Sequence, residues 1–348
     1  MEGDHIKTYP LLTPLAWLYG AGVTLRNMLF DHGVLHSHTF DVPVISVGNL
    51  TVGGTGKTPH TEYLIRLLSQ HFQVAVLSRG YKRKSKGYVL AKADTPMQAI
   101  GDEPYQMKQK YAQIHMAVDT DRCRGIQNLC RPGITPPTEV VLLDDAYQHR
   151  YVRPGINILL IDYHRPIYLD RLLPAGRLRE PVSEKARADI VIITKCPTGI
   201  TPMDMHGIEL ALRLQPWQKL FFSTLQYPDS LGDVGNRPLL VTGIAAPRQM
   251  AYDLKKRLPS LELMTFPDHH PYSPNDNERI RQRADGRTIL TTEKDATRLN
   301  GLPLKVIPIE VAFIGQDKQK EFNQTILNYV RKNKRNRNLP QGKNAHTA

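Results

Sequence analysis

The sequence is poor in cysteine, in aromatic residues and in uninterrupted apolar runs. Its three cysteines, Cys123, Cys130 and Cys196, form no C-x-x-C pair, so neither a disulfide framework nor a cysteine zinc site is expected, and a reducing compartment fits. Aromatics make up 7% of the chain and no basic-aromatic module is visible, which leaves little with which to stack nucleobases. No run of about 18 uncharged apolar residues occurs, and a conventional spanning helix is therefore not expected. Acids are also in deficit: 33 Asp plus Glu stand against 46 Lys plus Arg, giving a net charge of +13 and a pI near 9.6. That balance favours a polyanionic partner, whether nucleic acid, an anionic membrane surface or a phosphorylated substrate, and charge alone does not choose among them.

What is present is a globular balance, 41% hydrophobic and 23% charged, in 348 residues, enough for about two domains. Residues 13–31 open with Thr13 as N-cap and Pro14 at the first helical position, and predict a helix ending near Gly33. Leu15, Leu18, Leu25, Met28 and Leu29 share one stripe, which Trp17, Tyr19 and Phe30 widen and Arg26 interrupts. Such a helix either lies in a membrane interface or packs on the core. Glu2 and Asp4 spoil the basic region that a secretory signal needs.

From Val42 the texture alternates. Strands are expected at 42–47, 73–78, 114–118 and 139–143, and helices near 57–70, 102–112 and 120–130, the pattern of a parallel sheet with crossover helices. Apolar runs at 156–161, 191–194, 220–225, 239–245, 288–292 and 306–311 read as a second unit of the same kind. The expected fold class is α/β, a P-loop NTPase-like parallel-sheet core with a second, smaller α/β domain. The expected divisions are 1–151, 152–312 and, for a C-terminal helix and basic tail, 313–348. The tail from Arg331 to Ala348 carries six basic and no acidic residues and is expected to be solvated.

Thr51-Val52-Gly53-Gly54-Thr55-Gly56-Lys57-Thr58 lies between an expected strand and an expected helix, the setting a phosphate-binding loop requires. Glycines let backbone N–H groups face phosphate oxygens, Lys57 can reach the β- and γ-phosphates, and the Thr58 hydroxyl can ligate Mg²⁺. Thr51 replaces the first glycine of the usual pattern, and Gly53 and Gly54 preserve the flexibility. Asp144 and Asp145 end a strand, where a carboxylate can hold Mg²⁺ or its waters beside Thr58 or can simply cap a helix. Asp102 opens a helix, where an acid often only complements the dipole. The paired His269 and His270 lack any zinc spacing.

Taken together, SVGNLTVGGTGKTP (46–59), SRGYKR (78–83), GDEP (101–104), DDAYQHR (144–150), LLPAGRLREP (172–181), ITKCP (193–197), FPDHHPY (266–272) and TEKDATRL (292–299) resemble the tetraacyldisaccharide 4'-kinases, the lipid A kinases of Gram-negative bacteria. The order holds from about residue 10 to about residue 312. Ala146 departs from the glycine common there. The resemblance implies ATP- and Mg²⁺-dependent phosphorylation of the 4'-hydroxyl of tetraacyldisaccharide 1-phosphate at the cytoplasmic leaflet of the inner membrane, by a peripheral or monotopic enzyme, with no nucleic acid involved. It implies that Asp102 accepts the hydroxyl proton with His269 paired to it, and that Arg177 steadies the transferring phosphoryl group. Thr58, Asp144 and Asp145 would serve the metal, and Arg79, Tyr81, Arg122, Gln148 and His149 the sugar and the 1-phosphate. Lys195 is set against Lys294 and Asp295 as a neighbour of the nucleotide base. The competing readings are a nucleic-acid-associated P-loop ATPase, suggested by the charge and the basic tail, and a nucleotide-gated membrane scaffold, which would need no base.

Overall fold

Runs of valine, isoleucine and leucine that are apolar on both faces form interior strands of parallel sheets, because crossover helices cover each face. In the computed structural model, which describes residues 8–337 apart from 229, 245, 246, 269 and 300, nine strands make one such sheet. In chain order they are β1 (Val44–Gly48), β2 (Val74–Ser78), β3 (Val89–Leu90), β4 (His115–Val118), β5 (Val140–Asp144), β6 (Ile156–Asp162), β7 (Ile190–Thr194), β8 (Lys219–Gln226) and, much later, β13 (Glu310–Phe313). The spatial order is β13-β8-β7-β6-β1-β5-β2-β4-β3, parallel except where the edge strands β3 and β13 join. A second, four-stranded parallel sheet has β9 (Leu239–Thr242), β10 (Glu262–Thr265), β11 (Ile289–Thr292) and β12 (Leu304–Ile307) in the order β10-β9-β11-β12.

The large sheet does not stop at residue 151. The strands expected at 156–161, 191–194 and 220–225 extend it as β6, β7 and β8 instead of founding a second unit. Every strand of a doubly wound sheet has the same alternating texture, so periodicity carries no mark of where one sheet ends. The small sheet lies between β8 and β13 in the chain, and those two strands pair antiparallel. The run expected as one strand at 306–311 is two, β12 in the small sheet and β13 in the large one, split at Pro308, which has no N–H for a ladder.

The helices are α1 (Thr13–Asp31), α2 (Lys57–Ser69), α3 (Met97–Ile100), α4 (Asp102–Lys110), α5 (Arg122–Leu129), α6 (Pro202–Leu212), α7 (Pro247–Lys255), α8 (Pro274–Ala284), α9 (Glu293–Ala296) and α10 (Gln316–Arg337). α6 and α8 start on capping boxes, Thr201 with Asp204 and Ser273 with Asp276, each with proline at the first helical position. α10 continues to Arg337, seven residues into the segment expected as tail; residues 338–348 lie outside the described residues. Its Phe322, Ile326 and Val330 are buried in the cluster that holds Ile45 and Val47 of β1 and Leu64, Ile65 and Leu68 of α2. Packing of an apolar face, rather than charge composition, thus sets where this helix belongs.

α1 is held by polar contacts. Tyr19 donates to the carbonyl of Arg179 at 2.8 Å, Arg26 to that of Gln148 at 3.0 Å, and Asn27 to Glu180 at 3.3 Å. Its buried residues are Ala16, Gly20, Asn27 and Phe30, and a Cβ at Gly20 would lie 2.7 Å from Leu172. Leu15, Trp17, Leu18, Leu25 and Met28 face outward, Trp17 at 73% exposure. Among the described residues no helix is long and apolar enough to cross a membrane.

Candidate active site

β1 ends at Gly48 and α2 starts at Lys57, so the loop between them delivers its backbone to the N-terminus of a helix, where dipole and unpaired N–H groups favour an anion. Gly53 (φ +110°) and Gly56 (φ +84°) occupy left-handed conformations that a side chain would strain. Val52 donates its N–H to the carbonyl of Arg177 at 2.8 Å. Lys57 Nζ stands 3.5 Å from Asn49 Oδ1 and 3.6 Å from Asp145. Thr51 is buried, its hydroxyl accepting from Asn49 at 3.4 Å.

The paired acids differ. Asp144, fully buried at the end of β5, accepts hydrogen bonds from Thr61 and Ser78, each at 3.2 Å. Desolvation and the neighbouring Glu103 and Asp145 push its pKa well above the carboxylate range. Asp145 sits in a left-handed conformation (φ +48°) beside Lys57 and Arg179. Desolvation raises its pKa, but Lys57, Arg179 and Arg122 outweigh that and leave it below the ordinary value. Arg122 is itself buried, which brings its guanidinium down to about 10. Burial and Arg122 push His149 down to about 4, so it is neutral at pH 7.

One cleft of about 980 Å³ gathers these groups. Val52 to Thr58 line it, as do Arg79, Tyr81, Asp102, Arg122, Asp144, Asp145, Gln148 and His149. Its other walls include Tyr19, Val23 and Arg26 of α1; Arg179 and Glu180; Lys195 after β7; Leu225 and Tyr227 at the end of β8; Ile244, Gln249 and Met250 at the head of α7; and Asp268, Thr292, Glu293 and Lys294 of the small-sheet unit. Asp102 begins α4 after Gly101, and its Oδ1 accepts from the N–H of Glu103 at 3.1 Å. Lys294 crosses between the units, 3.3 Å from Glu103 and 3.4 Å from Asp268. His269 lies outside the described residues.

Two expected residues stand apart. Thr51 does not line the cleft, and neither does Arg177, whose N–H donates to Asp170 at 3.1 Å. The arginine that the segment 172–181 sends into the cleft is Arg179, 3.3 Å from Asp145 and 3.3 Å from Gln148 Oε1. Lys195 pairs with Asp162 at 2.7 Å and donates to the carbonyl of Gly54, so its ammonium faces the loop itself. Asp295 is wholly buried and accepts from Thr242, Gly243 N–H, Tyr272, Thr292 and Arg298, a role internal to the small unit. Glu103, Arg179 and Glu180 also line the cleft, and Asn49 contacts Lys57 beside it, although nothing in the motifs that contain them singles these residues out. Spacing names a segment, and the turn of the chain decides which of its side chains faces the ligand.

The family model for "Tetraacyldisaccharide-1-P 4'-kinase" matches residues 8–331. Tetraacyldisaccharide 4'-kinase of Phocaeicola vulgatus is 55% identical over 97% of this chain and 100% of its own length, and that of Bacteroides fragilis 50% identical over 99% and 100%. The crystal structure of LpxK from Aquifex aeolicus, an "apo" form in complex with ATP, superposes with a TM-score of 0.71 at 31% identity, covering 92% of this chain and 98% of that one. Matched along nearly its whole length by sequence and by fold, the chain belongs to the tetraacyldisaccharide-1-P 4'-kinase family.

Proposed function

We propose that this chain transfers the γ-phosphoryl group of ATP to the 4'-hydroxyl of tetraacyldisaccharide 1-phosphate, working as a peripheral protein on the cytoplasmic face of the inner membrane. The carrying observation is that a phosphate loop, paired acids and Asp102 line one cleft whose wall includes α1, a helix with its apolar side chains turned outward. The loop N–H groups and Lys57 bind the β- and γ-phosphates. Asp102 accepts the proton of the attacking hydroxyl, paired with His269, and Arg179 takes the negative charge that develops on the transferring group. Arg79 and Arg122 supply cations for the 1-phosphate, while Tyr81, Gln148 and the neutral His149 offer the sugar donors and acceptors.

The residues present fit Mg²⁺. Thr58, Asp144 and Asp145 are hard oxygen donors at the loop, and among the described residues no group of three or more His, Cys, Asp or Glu forms a cage of its own. Mg²⁺ is ordinarily held by one or two carboxylates together with substrate phosphates and water. When bound it supplies neutralisation of phosphate charge. Leu15, Trp17, Leu18, Leu25 and Met28 enter the interface and bring the cleft to the lipid, and the net charge of +13 supports an anionic leaflet.

Incubation with labelled ATP, Mg²⁺ and tetraacyldisaccharide 1-phosphate in mixed micelles tests this reading. Label in the lipid is the expected outcome. ATP hydrolysis stimulated by DNA or RNA, with no labelled lipid, would replace it by the nucleic-acid-associated ATPase.

A further inference from the structure

Every carbonyl at the tip of the loop is engaged from inside the protein. That of Gly53 accepts from Thr55 N–H at 3.1 Å. The Gly54 carbonyl accepts from Lys195 Nζ, the Thr55 carbonyl from Thr194 Oγ1 at 2.9 Å, and the Gly56 carbonyl from His60 Nδ1 at 2.7 Å. Thr194 ends β7, and Lys195 follows it in a left-handed conformation (φ +57°) that turns its stem back across the loop. Each donor is secured in turn. Lys195 pairs with the largely buried Asp162 at 2.7 Å, Thr194 is fully buried, and His60 Nε2 lies 2.9 Å from Ser223 Oγ on β8. A trans peptide sets its N–H opposite its C=O. Holding the Thr55 and Gly56 carbonyls toward this wall therefore turns the N–H groups of Gly56 and Lys57 the other way.

We infer that Thr194, Lys195 and His60 are positioning residues that preset the loop for phosphate, with Lys195 acting through the Gly54 carbonyl rather than as a base contact. This rests on the phosphate-binding reading of residues 51–58. A nest of N–H groups organised before the ligand arrives binds without the cost of ordering it. Thr194 provides the cleanest probe, since a hydroxyl buried at the end of β7 alters the loop without changing charge in the cleft.

Binding of Mg-ATP and of inorganic triphosphate is measured by calorimetry on the full chain, with hydrogen exchange of the loop amides in the absence of ligand. Thr194→Val is expected to weaken both ligands by the same factor, about three- to tenfold for one lost hydrogen bond, and to speed exchange at residues 55–57. Thr194→Ser, which keeps the hydroxyl, is expected to stay within about twofold of the parent. Lys195→Met should weaken both ligands alike, and Lys195→Arg should recover most of the loss. Should Thr194→Val fail to fold, the Lys195 pair carries the test, with faster ligand-free exchange at residues 55–57 expected in Lys195→Met and unchanged exchange overturning the inference. Affinities unchanged in Thr194→Val and Lys195→Met would overturn the inference, as would a loss confined to ATP in Lys195→Met, which would make Lys195 a base contact. If the folded parent bound neither ligand, the phosphate-loop reading would fall first and this inference with it.

Discussion

Single side chains in this site do different work according to what surrounds them. In the proposed reaction Lys57 and Thr58 act on phosphate and metal rather than on the core, so Lys57→Ala or Thr58→Ala should lower kcat by at least about a hundredfold while the thermal unfolding midpoint stays near the parent's. Full ATP-dependent activity in both variants would remove the loop from the site. The two arginines of 172–181 give a sharper contrast: Arg179 faces Asp145 across the cleft, whereas Arg177 lends its backbone to Val52 and Asp170. Arg179→Ala should therefore cost about ten- to a hundredfold in kcat/KM, and Arg177→Ala less than about threefold. The reverse order would restore Arg177 to the reaction. The place of a side chain was legible from the sequence where chemistry restricts the choice, as with Lys57 and Thr58, which follow the loop glycines and line the cleft. It was not legible where two arginines sit two positions apart and only the path of the chain selects one.

At the scale of elements, α2 couples the loop to the core through His60. The tautomer follows from its partners: Nδ1 must donate to the Gly56 carbonyl, leaving Nε2 to accept from the Ser223 hydroxyl. Burial lowers its pKa to about 4, below the ordinary value of about 6.5, so the unfolded chain binds a proton that the folded chain refuses. Stability contributed this way is complete above about pH 6.5 and is lost as pH falls from there toward 4. Between pH 7 and pH 5 His60 alone should account for about 2 kcal/mol. Denaturant titrations should show that fall, and His60→Gln should flatten it; equal slopes for parent and variant would contradict the assignment. α1 carries a different expectation. Trp17→Glu with Leu18→Glu should reduce partitioning onto anionic vesicles at least about tenfold and raise the KM for micellar lipid more than that for ATP, because loss of apolar anchoring affects the lipid encounter first. Unchanged partitioning would leave α1 as a helix of the fold alone. The helix itself was plain from its proline and apolar stripe, although Thr13, expected as the cap, is its first residue and Leu12 precedes it with no side-chain cap; which face it buries was not plain, because an interfacial helix and a packed helix share one pattern until Gly20, Asn27 and Phe30 are seen docked.

For the whole molecule, the alternation of strands and helices made the α/β class and the parallel order visible in advance. It could not show that β6, β7 and β8 continue the first sheet, since that depends on pairing between residues distant in sequence. Nor did the composition of the last residues reveal that α10 returns to the core through Phe322, Ile326 and Val330. The cleft between the large sheet and the small-sheet unit is the consequence that matters for function. Asp102 begins a helix of the first, Asp268 belongs to the second, and Lys294 joins them through Glu103. If Asp102 and His269 act as one proton-accepting unit across that cleft, their losses should not multiply. The deciding measurement is kcat for lipid phosphorylation, at saturating ATP and lipid, in Asp102→Ala, His269→Ala and the double variant. Each single change should lower kcat strongly with little effect on ATP affinity, and the double variant should be scarcely worse than the poorer single one; a double loss equal to the product of the two single losses would show two independent residues and contradict a site assembled from both units.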